Sequence, residues 1–238
     1  MLTSTRPRAR DMPEDRVAHR PPPRFMKTPP AIIVLAAGKG SRFLGTDHKL
    51  AQRIGSATVL AMTLRHAIAT QLPVVVVTTA RFADLARRGI AARDVVLLPE
   101  ADTDAGLGMG HSIAAGVAAR PDAGGWLVLP ADMPLIEPAT VLAVARELAH
   151  HAVVYAQHKG RRGHPVGFAT ELYSELAMLT GDEGARRLVS RYPAVGVEVD
   201  DPGVLVDVDT EADLERLRAA HPELLERAGA PHSSRVAS

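Results

Sequence analysis

Short runs of consecutive apolar residues, rich in valine, isoleucine and leucine, constrain the fold of this chain more than any other feature. They occupy residues 31–36, 73–79, 94–99 and 125–131. Polar and apolar residues do not alternate inside these runs, so both faces of each predicted strand are expected to be buried. Parallel strands that are covered by helices on both sides have this pattern.

The stretches between these runs have apolar residues at helical spacing. They are residues 57–69, 80–89, 109–119 and 138–151. Strands that alternate with such helices predict a doubly wound α/β fold with a mostly parallel sheet and right-handed crossovers. Ligands of sheets of this kind bind where the carboxyl ends of the strands meet loops and helix N-termini.

The pattern is less regular after residue 151. We predict a strand over 151–157, a loop over 158–168, helices near 170–179 and 181–192, strands over 194–201 and 203–208, and a closing helix over 210–228. Asp182 is expected to cap the helix that follows it. Thr210 and Asp213 have the spacing of a capping box at the start of the closing helix.

Composition excludes several classes of function. The 238 residues include no cysteine, which rules out disulfides, thiolate metal sites and cysteine nucleophiles. The net charge of +1 gives no electrostatic case for nucleic acid or membrane binding, and no apolar segment approaches the roughly 18 residues that span a bilayer. We expect a cytoplasmic protein with one domain over residues 30–220, a disordered basic tail over 1–29, and a C-terminal helix end and tail over 221–238.

The loop after the first predicted strand, AAGKGSRFLGTDHKL, has the composition of an anion site. Gly38 and Gly40 would let backbone amides approach an anion, and Arg42 and Lys49 would add positive charge. The dinucleotide fingerprint fails here because Phe43 replaces its third glycine, and the P-loop pattern fails as well. The loop alone therefore predicts either a different nucleotide site or a solvated basic turn.

Two further segments place carboxylates at strand ends. Asp132 follows the run GWLVLPA at the position where a Mg²⁺ ligand is expected, although an Asp there could instead cap a helix or fix a turn. Asp207 and Asp209 lie two residues apart in GVLVDVDT. One of them could join Asp132 at a divalent cation, and turn hydrogen bonds beside Thr210 are the alternative.

Three glycine-bearing segments complete the set of candidate sites. AGLGMGHSIAAG (105–116) places a loop before a helix N-terminus, with His111 and Ser112 as candidate contacts. RRGHPVGF (161–168) is a basic segment suited to an anionic second substrate, and GDEGARRL (181–188) opens a helix. Each of these signals is weak when taken alone.

In combination, the motifs resemble those of the molybdenum cofactor nucleotidyltransferases, a family of the nucleoside-triphosphate transferase superfamily. The motifs are LAAGKGSRF, HKL, GMGHSIAAG, PADMP, RGHPVGF, GDEGAR and DVDTEADL, which follow one another between residues 31 and 218. LAAG at the first loop is similar to the cytidylyltransferases of this family, whereas the guanylyltransferases more often have LAGG. The resemblance implies a Rossmann-like nucleotidyltransferase fold.

The resemblance also implies roles for individual residues. Nucleotide binding falls to Leu35, Ala36, Ala37, Gly38, Gly40, Arg42, Lys49, Gly108 and Ser112. Arg42, Lys49 and Asp132 are the implied catalytic residues, and Mg²⁺ would be held by Asp132 with Asp207, or with Asp209 as the second choice. The second substrate would lie against Arg162, Gly163, His164, Pro165, Gly181, Asp182 and Arg186.

The implied reaction is transfer of CMP from CTP to the terminal phosphate of molybdopterin, with release of pyrophosphate. A client molybdoenzyme is an implied partner. Three alternatives stay open: GTP as the nucleotide; a sugar 1-phosphate, isoprenoid phosphate or phospholactate as the acceptor; and a non-catalytic carrier of the molybdenum cofactor.

Overall fold

Seven strands form the main sheet of the computed structural model, which describes residues 28–38, 40, 43, 47–99 and 108–222. These strands are β1 (Ala31–Ala36), β4 (Val74–Thr79), β5 (Val95–Leu98), β6 (Trp126–Pro130), β7 (Val153–His158), β8 (Arg161–Phe168) and β9 (Ala194–Glu198), while β2 (Arg53–Ile54) and β3 (Ala57–Thr58) form a separate hairpin. The order in space is β5-β4-β1-β6-β8-β7-β9. Within this sheet β8 runs antiparallel to both of its neighbours and the other pairings are parallel.

Helices cover both faces of this sheet. They are α1 (Val59–Ala69), α2 (Ala80–Arg87), α3 (Gly108–Ala118), α4 (Pro138–Glu147), α5 (Tyr173–Ala177), α6 (Arg186–Arg191) and α7 (Glu211–Ala220). Alternate residues of β1 point to opposite faces: Ile32 and Val34 pack in the core with α1, α2, α4 and α7, and Ala31 and Ile33 pack in the core with α3, α5 and α6. The predicted doubly wound, mostly parallel sheet is confirmed. No helix in the described ranges is long and apolar enough to cross a membrane.

The sequence prediction of a loop over residues 158–168 is wrong, because residues 161–168 form β8 in the interior of the sheet. The segment has few β-branched residues and contains Pro165, which cannot donate a ladder hydrogen bond. The sheet accommodates it because the pairing with β7 is irregular between Tyr155 and Gln157 and skips residues 163–165. A side chain at Gly163 would meet Val204 O at 2.2 Å, so this strand also needs a glycine there.

Two smaller predictions for the second half of the chain are also wrong. Residues 203–208 do not form a strand: a 3₁₀ helix covers Pro202–Leu205, and an extended stretch follows it. Asp182 does not cap α6, whose N-cap residue is Ala185. The capping box of Thr210 and Asp213 at the start of α7 is confirmed.

A buried carboxylate holds the 201–209 segment against the start of α4. Asp201 is 3% exposed and accepts hydrogen bonds from Glu137 N at 2.9 Å, Thr140 Oγ1 at 2.7 Å and Gly203 N at 2.8 Å. Several donors to one buried carboxylate offset the cost of removing it from water. Asp201 thus joins two segments that are distant in sequence and that both lead to the carboxyl edge of the sheet.

We predict that Asp201→Ala lowers the free energy of unfolding by about 2–4 kcal/mol, because two backbone N–H groups and the Thr140 hydroxyl lose a charged acceptor. Chemical denaturation at neutral pH measures this change. Asp200→Ala is the matched control: Asp200 is exposed, so its removal should change the stability by less than about 0.5 kcal/mol. Equal effects of the two substitutions would contradict the anchoring role of Asp201.

Candidate active site

Asp132 lies directly beyond the end of β6 and is held in place by its neighbour in sequence. Ala131 N donates to Leu35 O of β1 at 3.0 Å, and Ala131 O accepts from Thr63 Oγ1 of α1 at 2.9 Å. These two bonds tie the residue before Asp132 to β1 and to α1. The side chain of Asp132 is only 18% exposed and is therefore largely removed from solvent.

A main-chain hydrogen bond brings the acidic DVDT segment to Asp132. Val208 N donates to Asp132 O at 2.9 Å. Beyond it, Asp209 N donates to Asp213 Oδ2 at 3.2 Å, which ties Asp209 to the capping box of α7. The fixed helix start thus directs Asp209 toward the end of β6.

Lys49 lies between these two carboxylates. Its Nζ is 2.6 Å from Asp132 Oδ2 and 2.6 Å from Asp209 Oδ1, and its side chain is 11% exposed. Burial by itself would lower the pKa of Lys49, but the adjacent Asp132 and Asp209 outweigh it and raise this pKa. Lys49 is therefore charged at neutral pH and forms an ion pair with each of the two carboxylates.

His48 fixes the turn that carries Lys49. Its Nδ1 accepts a hydrogen bond from Leu50 N at 3.2 Å, so the neutral ring has its proton on Nε2, which donates to Gly38 O at 3.0 Å. A side chain at Gly40 would meet His48 Nε2 at 2.5 Å, which explains why glycine is needed there. Sequence reasoning did not assign a role to His48. A buried histidine that forms hydrogen bonds to two main-chain groups has no local sequence pattern.

The carboxylates also fit a divalent cation. Asp132 Oδ1 is buried and has no hydrogen-bond partner in the described part of the chain, and such an oxygen is suited to a cation. Asp207 is exposed, and partial desolvation together with the charges of Asp209 and Asp132 raises its pKa. The described residues include no cluster of three or more acidic or histidine side chains with metal-binding geometry. A Mg²⁺ ion here would therefore complete its coordination with substrate phosphates and water, as this ion commonly does.

Besides Lys49, the described residues that were predicted to bind nucleotide lie in β1, in the chain directly after it and in α3. Ala36 ends β1, and the chain becomes progressively exposed through Ala37 to Gly38 as it leaves the sheet. No described atom outside its chain neighbours lies within 4 Å of the position of a side chain at Gly38. Leu35 is half-buried, whereas Ser112 is buried in α3. Arg42 lies outside the described residues, and its role stays a prediction.

Two motifs that the sequence analysis assigned to different substrates are in direct contact. Gly110 N at the start of α3 donates to Gly181 O at 2.8 Å. Side chains at Gly108 and Gly110 would meet the backbone of Gly181 and Thr180 at 2.3 and 2.6 Å. Gly108 and Gly110 therefore allow α3 to begin in close contact with Thr180 and Gly181. Asp182 and Arg186 are exposed beside it.

β8 contains four of the candidate second-substrate residues, and one of them, His164, is near enough to Asp132 to be affected by its charge. Burial lowers the pKa of His164, and the nearby charge of Asp132 only partly opposes this, so the ring is neutral at pH 7. The guanidinium carbon of Arg162 lies 4.1 Å from the centre of the Tyr155 ring. Gly163 and Pro165 point to the opposite, buried face of the strand. Tyr155 was not among the predicted site residues, because only the pairing of β7 with β8 brings it to Arg162.

This chain is similar to curated proteins and to solved structures over most of its length. Residues 32–195 match the model of the MobA-like NTP transferase domain. The purine catabolism protein PucB of Bacillus subtilis is 31% identical over 206 residues, which cover 82% of this chain and 99% of PucB. The bifunctional protein GlmU of Alkalilimnicola ehrlichii is 34% identical over 120 residues, but these cover 49% of this chain and 25% of GlmU.

Several solved structures are similar to this chain over most of its length. Rv0371c of Mycobacterium tuberculosis superposes with a TM-score of 0.69 at 28% identity and covers 81% of this chain and 98% of its own. A complex of Rv0371C with manganese gives a TM-score of 0.64 at 27% identity, covering 81% and 98%. Molybdopterin-guanine dinucleotide biosynthesis protein A of Archaeoglobus fulgidus shares the fold with a TM-score of 0.61 at 20% identity, covering 81% and 99%.

The family match includes β1, Lys49, Asp132 and β8, and thus most of the candidate site. The similarity to PucB extends over most of both chains, 82% of this one and 99% of PucB. The chain belongs to the MobA-like NTP transferase family and is a nucleotidyltransferase.

Proposed function

We propose that this nucleotidyltransferase transfers CMP from CTP to the terminal phosphate of molybdopterin and releases pyrophosphate, with Mg²⁺ as its metal ion. The choice of CTP depends on Ala37, which gives the first loop the LAAG sequence similar to that of the cytidylyltransferases. The molybdopterin acceptor depends on the resemblance of the whole motif set to the molybdenum cofactor enzymes.

One observation carries the proposal: a lysine and two aspartates from three distant segments converge at the carboxyl edge of the sheet. Lys49 Nζ lies 2.6 Å from both Asp132 and Asp209. Nucleotidyl transfer needs groups of both signs at one place, since the metal requires anionic ligands and the phosphates require cations. Asp132 and Asp209 would hold the ion, and Asp207 would add negative charge nearby. Mg²⁺, when bound, would neutralise charge on the phosphates.

The acceptor does not need a general base in this reaction. A terminal phosphate is already anionic, so the chain has to align it with the α-phosphorus of CTP rather than deprotonate it. Neutral His164, close enough to Asp132 to sense its charge, is suited to hydrogen bonding the acceptor without adding a charge. Lys49 would stabilise the negative charge of the transferring phosphate.

The part of the acceptor that is distant from its reacting phosphate would lie against Arg162. Arg162 is exposed and forms no ion pair with any described residue, so one edge of its guanidinium remains available to an anion or a planar ring. The Tyr155 ring packs against one face of the guanidinium, with the guanidinium carbon 4.1 Å from the ring centre. Gly196 gives the tyrosine room, since a side chain there would meet Tyr155 Cε2 at 3.0 Å.

The proposal predicts that pyrophosphate is released from CTP only when molybdopterin is present, and that GTP, ATP and UTP are used at least about tenfold less well, a difference of about 1.4 kcal/mol. A coupled assay of pyrophosphate release with the four nucleotides, with and without molybdopterin, measures this. Asp132→Asn is the inactive control. Preference for GTP would refute the nucleotide assignment, and release with a sugar 1-phosphate but not molybdopterin would refute the acceptor assignment.

Substitution of the two DVDT carboxylates distinguishes their roles. Asp209 touches the same ammonium as Asp132 and Asp207 does not, so we expect Asp209→Asn to weaken Mn²⁺ binding by about 10–100-fold. Asp207→Asn, which removes the same charge two residues away, should weaken binding by less than about fivefold, because only a screened long-range attraction to the cation is lost. Titration of each purified variant with Mn²⁺ measures both values. A larger loss in Asp207→Asn would make Asp207 the ligand.

Arg162→Met should raise the KM for the acceptor by about tenfold, the effect of losing one exposed charge-assisted contact of about 1.4 kcal/mol. The KM for CTP should not change. Arg161→Met is a close control, because Arg161 is also exposed but its side chain projects from the other face of β8. Steady-state kinetics with each substrate varied separately measure both constants. An equal rise in both variants would show that general positive charge, rather than the stacked arginine, matters.

A further inference from the structure

Lys49 takes the position that a divalent cation would need. Its ammonium lies 2.6 Å from Asp132 Oδ2 and 2.6 Å from Asp209 Oδ1. A divalent cation binds carboxylate oxygens at about 2.0–2.6 Å. The ammonium and the metal ion therefore cannot contact these two oxygens in the same way at the same time.

The backbone at Lys49 cannot move far to resolve this competition. His48 bonds Leu50 N on one side and Gly38 O on the other, and its ring packs 4.6 Å from the ring of Phe82. The four-carbon side chain of Lys49 is flexible, however, and can rotate about this fixed point. Gly38, just beyond the end of β1, is tied to the same histidine through its carbonyl oxygen.

We propose that Lys49 is an exchangeable counter-ion that couples metal binding to nucleotide binding. In the free protein it forms ion pairs with both Asp132 and Asp209, and a divalent cation displaces it. The released ammonium then contacts the triphosphate. This proposal deepens the proposed function and rests on it for the identity of the site as one that binds a nucleotide together with a metal ion.

Charge and hydrogen bonding both support the exchange. Two neighbouring carboxylates repel each other unless a cation lies between them. The Lys49 ammonium is that cation while no metal ion is bound. Asp132 Oδ1 accepts no hydrogen bond from any described group, so this oxygen has a free lone pair for a cation that replaces Lys49. Once Lys49 leaves, both carboxylates can face the metal. Because coupling is reciprocal, nucleotide that binds the released ammonium must also strengthen metal binding.

The test is Mn²⁺ binding to the full chain, measured by titration calorimetry with and without a non-hydrolysable CTP analogue that has a methylene group between its α- and β-phosphorus atoms. Without nucleotide, Lys49→Met should bind Mn²⁺ about tenfold more tightly than the unaltered protein, within the usual range of site-to-site coupling. The analogue should strengthen Mn²⁺ binding less in Lys49→Met than in the unaltered protein. Lys159→Met is the matched control: it removes the same charge from the exposed turn between β7 and β8 and should leave both Mn²⁺ affinities unchanged.

Equal or weaker Mn²⁺ binding by Lys49→Met would overturn the proposal. Nitrogen NMR of the lysine ammonium groups in the unaltered protein gives a second readout if the variant does not fold. Saturation with Mg²⁺ should shift the Lys49 signal from its ion-paired position, and an unchanged signal would equally overturn the exchange. The nucleotide-free measurements do not require catalysis, so they can succeed even if the acceptor or base assignment fails.

Discussion

The carboxyl edge of the sheet depends on one buried anion, the carboxylate of Asp201. This group fastens the start of α4 to the chain that leads from β9 into the DVDT segment. From there one further hydrogen bond, Val208 N to Asp132 O, brings the end of that segment to the end of β6. A carboxylate that takes no part in the chemistry thereby determines where the acidic side chains of the site lie.

The electrostatics of the site follow from this arrangement. Asp132 and Asp209 are brought together by the fold, at a cost that their partner Lys49 reduces. The pKa of Lys49 is raised, so the ammonium stays charged across the neutral range and its pairing with the carboxylates does not depend on pH there. Since a group with a raised pKa stabilises the fold at pH values below that pKa, this contribution disappears only in alkaline solution. Asp207 lies close enough to sense both carboxylates, yet it remains exposed.

Local sequence patterns were sufficient to predict the sheet and much of its edge. Unbroken apolar runs identified β1, β4, β5 and β6, and the end of β6 identified Asp132, whereas the strand predicted before the DVDT segment does not form. The prediction failed where long-range contacts decide the structure. β8 contains a proline and two glycines, which argue against a strand, and it exists because β6 and β7 enclose it. Likewise, no spacing in the sequence indicates that Lys49 pairs with residues 83 and 160 positions away, or that His48 bonds Gly38.

The close packing between the start of α3 and residues 180–181 constrains how this protein can be engineered. With no room for a single methylene group between Gly110 and Thr180, neither segment can be replaced alone by one with a larger residue or a different backbone path. A chimera that exchanges the GDEG loop would have to exchange the start of α3, with Gly108 and Gly110, together with it. The two segments are therefore one module, although about 70 residues separate them in the sequence.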